Sequence, residues 1–171
     1  MQENYNVLFL GISNSTRSIM GESILNHKGS SNFTGYSAGS YPKERVHPAA
    51  LRQIKIAKLP TTNLHPKSWH EFAKVSAPHL DFVFTICDSA PGELCPVWPG
   101  QPITGHWSVP DPASVEGSPE EIDRAFLDTF TILERRISLF LCLPLSSLDE
   151  LAIKNEIAEI GQVGRPTSVL R

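Results

Sequence analysis

Residues 7–18 read VLFLGISNSTRS. The apolar run at 7–10 suits a short buried strand, and residues 15–25 suit a helix, which leaves 11–17 as a strand-to-helix turn. Backbone N–H groups at a helix N-terminus have no intrahelical acceptor, and the helix dipole adds partial positive charge there, so such a turn favours anions. Arg17 is the only charged residue between Gly11 and Ser18. Its guanidinium suits bidentate contact with a tetrahedral oxyanion. The local pattern therefore predicts an anion site.

Working outward, strand and helix patterns alternate, as expected of an α/β protein with a mainly parallel sheet covered by helices. A second strand is expected near 33–37. A helix is expected over 48–58, with Pro48 in its first turn and Leu51, Ile54 and Ala57 on one face. Residues 65–68 carry a weak strand signal and 69–74 suit a helical turn. Residues 81–87, DFVFTIC, form the best central strand after the first. The proline- and glycine-rich stretch 89–112 reads as one long loop.

Helix signals return at Ser118, where Ser118, Pro119 and Glu121 supply a cap, a first-turn proline and a capping-box partner. Ile122, Phe126, Phe130, Leu133, Ile137 and Phe140 then recur at helical spacing. Ser147 with Glu150 repeats the capping signature ahead of a last helix ending at Gly161. Residues 1–161 are expected to form one domain, and 162–171 a tail.

The 171 residues are 40% hydrophobic and 19% charged, enough apolar material for a substantial core. The formal net charge of -3 argues against a general nucleic-acid binder, which would show a basic excess. No run approaches the roughly 18 apolar residues of a membrane span, and no basic leader precedes the first strand, so a cytoplasmic location is expected. Three cysteines fit a reducing compartment, and their spacing lacks the pairs of a zinc site. No metal or cofactor is expected.

The frame N-S-x-R-S after VLFL resembles the low-molecular-weight tyrosine phosphatase fold, and the rest of the chain resembles its thiol-dependent arsenate reductase branch. SAGS at 37–40, DFVFTICD at 81–88, CPVWPGQP at 95–102 and HWSVPDPA at 106–113 carry this resemblance. It implies a three-layer α/β sandwich with a central parallel sheet. It also implies an oxyanion loop of Gly11, Ile12, Ser13, Asn14, Ser15, Thr16, Arg17 and Ser18. In the family this loop reads C-x5-R, and its cysteine thiolate attacks arsenate. Gly11 takes the nucleophile's position, and Arg17 that of the oxyanion arginine. Asn14, Ser15 and Ser18 match the residues that hold the loop. Cys87 and Cys95 match the cysteines that carry the disulfide onward to thioredoxin or glutaredoxin, and Asp111 matches the general acid of the phosphatases.

Chemically, glycine offers no nucleophile. The hydroxyls of Ser13, Ser15 and Thr16 need an adjacent base, and no histidine, lysine or carboxylate lies between Gly11 and Arg17. Loss of a thiolate leaves anion binding possible, because it removes a negative charge that repels phosphate, arsenate or sulfate. Three functions follow: an arsenate reductase-family protein impaired or inactive in thiol-dependent reduction, a non-catalytic oxyanion-binding protein with a sensing or partner-binding role, or a phosphatase-like hydrolase.

The remaining groups have plainer readings beside these. Cys87 at a strand end suits packing as well as redox pairing with Cys95, and Cys142 is read as core. Asp111, between two prolines, also suits a turn. Trp98 and Trp107 are expected to pack the long loop. The six histidines lack an i,i+4 ligand pair and read as structural or exposed, with His106 a neighbour of the site through Trp107. Lys43, Arg45 and Lys67 are basic groups that folding could bring toward the loop.

Overall fold

A computed structural model describes residues 4–86 and 98–164. Strand β1 (Tyr5–Gly11) lies inside a four-stranded parallel sheet of order β2-β1-β3-β4. It pairs with β2 (Phe33–Gly39) on one side and β3 (Phe82–Thr85) on the other, and β3 pairs with β4 (Ile103–His106). Alternation along β1 splits the core in two. Val7 and Phe9 face the larger cluster, shared with α1 (Arg17–Lys28), α2 (Pro48–Ile56), α3 (Pro119–Leu141) and α4 (Glu150–Ile160). Leu8 and Leu10 face the smaller one, with Ala38, Phe72, Leu80, Val83 and Trp98. A strand covered on both faces is apolar without interruption, which is why the run at 7–10 has no polar alternation.

The expected elements are present, with shifted ends. Helix α1 begins at Arg17 rather than residue 15, because Asn14 adopts φ 49° and Thr16 is non-helical at φ -136°, ψ -81°. The turn thus uses residues assigned to the helix. Helix α2 ends at Ile56, two residues before the expected end. The signal at 65–68 amounts to one parallel bridge, Gly39 to Ser68. The helical turn after it is a 3-10 helix, Trp69–Phe72, capped by the Ser68 hydroxyl.

Three corrections concern the second half. The stretch 89–112 is not all loop, since β4 pairs residue for residue with β3. Its sequence, ITGH, has no convincing strand pattern because Gly105 answers to packing. A Cβ there would meet Ile157 Cγ2 at 2.5 Å and Phe84 at 3.1 Å, so α4 closes directly on the strand. Helix α4 is capped by Asp149, whose carboxylate accepts from the Ala152 N–H at 2.8 Å. Ser147 instead ends a 3-10 turn, Leu145–Ser147.

Helix α3 has both halves of its capping box between Ser118 and Glu121. Its apolar stripe is buried from Phe126 to Phe140. Cys142 is exposed, contrary to the core reading, because it caps α3 beyond the last core position. Trp107 is fully buried as expected, stacking on Phe84 at 4.1 Å and donating from Nε1 to the Ile157 carbonyl. Trp98 is also buried. Among the described residues no helix is long and apolar enough to cross a membrane.

Candidate oxyanion site

Beyond β1 the chain turns through residues 12–16, and its carbonyls point away from the turn's interior. Gly11 and Ile12 accept from the N–H groups of Ser40 and Tyr41, Ser13 from Lys43 and Ser15 from His47, at 2.8–3.3 Å. This strap, which the sequence reading did not anticipate, fixes the turn with bonds worth about 1 kcal/mol each. With the carbonyls drawn outward, the N–H groups of Ser13, Asn14, Ser15 and Thr16 donate to no protein acceptor among the described residues. Such a set of amides at a helix start is an anion cradle.

Side chains stiffen the same turn. Asn14 Nδ2 donates to Ser18 Oγ at 2.8 Å, and Asn14 Oδ1 accepts from the Lys67 N–H at 2.8 Å. Ser13 and Ser15 share a hydroxyl–hydroxyl bond of 2.9 Å. Gly39 lets the turn lie against β2, since a Cβ there would collide with the Ile12 carbonyl oxygen. At Gly11 a Cβ would meet Ser18 Oγ at 3.3 Å, and the φ is not left-handed. A Cβ there requires the Ser18 hydroxyl, which Asn14 holds, to give by a few tenths of an ångström.

The opposite wall is Asp111, at the end of the segment 107–111. Arg17 Nη1 donates to the Val109 carbonyl at 2.7 Å, and Nη2 stands 3.8 Å from Asp111 Oδ2. Arg136, only 1% exposed, donates from Nη1 to the carbonyls of Trp107 and Ser108 and from Nε to Val163. A charge so deeply buried is tolerated because carbonyl oxygens satisfy it. Arg136 escaped the sequence reading, although its spacing of three from Leu133 and four from Phe140 sets it within the apolar stripe of α3. Gly11, Arg17, Asp111 and the residues between Gly11 and Ser18 line one small depression.

Other expected neighbours lie elsewhere. His106 does not line the depression, and its Nδ1 is 2.6 Å from Thr85 Oγ1. Lys67 Nζ donates to the Ser37 and His65 carbonyls, 3.9 Å from Glu22 Oε1. Burial pushes the Glu22 carboxyl upward, against the lowering effects of Ser37 and Lys67. Burial likewise pushes Lys67 downward, against Glu22 and Glu71. Lys43 meets the turn through its backbone, and neither it nor Arg45 lines the depression. Cys87 and Cys95 lie outside the described residues.

One hydroxyl is conspicuous. Thr16 is 4% exposed, lines the depression, and its Oγ1 has no hydrogen-bond partner among the described residues. His47 joins the strap to α2: its Nδ1 accepts from the Ala49 N–H at 3.0 Å, and its ring lies 4.8 Å from that of Phe126. Desolvation, followed by Lys43 and Arg52, lowers its pKa from 6.5.

A parallel sheet whose first strand-to-helix turn gathers amides, an arginine and a facing carboxylate has the donors that a tetrahedral oxyanion requires. Residues 6–154 match the model of the family described as low molecular weight phosphotyrosine protein phosphatase, and the chain belongs to that family. An arsenate reductase of Shouchella clausii (strain KSM-K16) is 31% identical over 115 residues, 67% of this chain and 79% of the relative. An arsenate reductase solved in its phosphate binding state superposes with a TM-score of 0.61 at 22% identity, covering 78% of this chain and 94% of that one. A thioredoxin-dependent arsenate reductase of Corynebacterium glutamicum gives 0.53 at 24% identity over 80% of this chain. The chain spans 63% of that protein's length. The structural likenesses bear out the expected α/β sheet flanked by helices, and with it the fold class.

Proposed function

We propose that this chain is an oxyanion-binding member of the arsenate reductase branch, holding phosphate, arsenate or sulfate at residues 11–18 and impaired or inactive in thiol-dependent arsenate reduction. Reduction of arsenate to arsenite needs two electrons. In the thiol route one thiolate attacks arsenic with loss of water, and a second attacks the first sulfur, leaving a disulfide and arsenite. Gly11 supplies no sulfur for the first step.

The observation that carries the reading is the join at Gly11. The residue ends β1 beside an intact cradle, and its missing Cβ would lie 3.3 Å from Ser18 Oγ. The Ser18 hydroxyl thus stands beside the place a side chain at residue 11 would start, and residue 11 carries no thiolate for it to serve. Cys87 and Cys95 remain as a proposed exchange pair, with thioredoxin or glutaredoxin as partner and the cytoplasm as location. The test is arsenate-dependent turnover in a thioredoxin reducing system, with the unmodified chain beside Gly11→Cys. Turnover by Gly11→Cys alone is expected. Turnover by the unmodified chain would overturn the reading, because another group would then supply the nucleophile.

A further inference from the structure

We propose that Asp111 makes the cradle select tetrahedral oxyanions that carry a proton, hydrogenphosphate and hydrogenarsenate, over sulfate, which carries none. The proposal rests on the reading of residues 11–18 as an oxyanion site and extends it to which oxyanion is held. The turn by itself does not discriminate. Its amides and Arg17 are donors, and any tetrahedral dianion offers them acceptors.

Two observations go beyond the helix start. Among the described residues Thr16 Oγ1 is buried and has no hydrogen-bond partner, on a residue that lines the depression, and a buried hydroxyl in that state is costly until a ligand satisfies it. Asp111 is the one acidic group among the described residues that line the same depression, and it is held in place from both sides. Its Oδ1 accepts from the Ala113 N–H at 3.0 Å, and its Oδ2 stands 3.8 Å from Arg17 Nη2. Arg17 is anchored in turn to the Val109 carbonyl. The side chain of Asp111 is 38% exposed, so one edge of the carboxylate remains open.

A carboxylate accepts hydrogen bonds and cannot donate them. Facing the hydroxyl of hydrogenphosphate, it receives a short charge-assisted bond that offsets the repulsion between two anions. Facing a sulfate oxygen, it sets lone pair against lone pair and charge against charge. Specificity of this kind comes as much from the penalty on the wrong ligand as from affinity for the right one.

The test is calorimetric titration of the full chain with sodium phosphate and sodium sulfate at mildly alkaline pH and matched ionic strength. Phosphate should bind at least about tenfold more tightly than sulfate. Asp111→Asn keeps an oxygen to cap Ala113 and adds an amide donor, so sulfate should tighten and the ratio fall toward one. Thr16→Val should weaken both anions by a similar factor and leave the ratio intact. Equal affinities in the unmodified chain, or a ratio unmoved by Asp111→Asn, would overturn the selectivity while leaving the cradle standing. Failure of both anions to bind would overturn the cradle and the selectivity together.

Discussion

The two walls of the depression are held by opposite means. The first, residues 11–16, is backbone tied to backbone, its carbonyls strapped by the segment from Ser40 to His47. The second is Asp111, whose segment, residues 107–111, hangs from two guanidinium groups, one on α1 and one on α3. A strap of amides tolerates changes of side chain, because its bonds belong to groups that every residue but proline carries. A wall hung on arginines depends on two side chains with no substitute, since lysine lacks the planar fork.

The contrast breaks most completely at Arg17, which directly follows the first wall and supports the second. Arg17→Ala should abolish most oxyanion binding by calorimetry, through loss of the only charge in the turn and release of Val109. Unchanged phosphate affinity would contradict the assigned site. Arg136→Met separates the walls. It leaves the carbonyls of Trp107, Ser108 and Val163 without their donor, which should lower stability by about 3 kcal/mol in urea denaturation. Anion affinity at the strap should survive while discrimination by Asp111 weakens.

The smallest effect concerns the far end of the strap. His47 caps α2 by accepting at Nδ1, which only an unprotonated nitrogen can do. Its folded-state pKa lies below its ordinary 6.5, so its contribution is fully present above about pH 6.5 and is lost as pH falls through the folded value. His47→Asn keeps a cap oxygen without the titration. Thermal melts should then lose a pH dependence of about 2 °C on the acid side of neutrality, while the unmodified chain retains it.

The same division explains what could be read in the sequence. The first wall announces itself locally, because an apolar strand, a polar turn and a helix start are contiguous at 7–25. So does the capping box at Ser118, where both partners lie within one turn. The strap was not legible, since its donors are backbone groups in SYPKERVH, residues 40–47, and any sequence has those. Strand β4 was not legible either. Its residues are chosen by α4, whose Ile157 admits only glycine at position 105, and the proline-rich surroundings hid the pairing with β3. Arg136 shows a third kind of miss: a charge within an apolar stripe reads as a defect until the carbonyls it serves are seen.

The strap has a consequence for the order in which the site is made. All its parties, from Gly11 to His47, lie in the first third of the chain, whereas the second wall needs Trp107, Asp111 and Arg136. A polypeptide leaving the ribosome N-terminus first therefore holds every group that shapes the cradle before the group that would judge its contents has been synthesised.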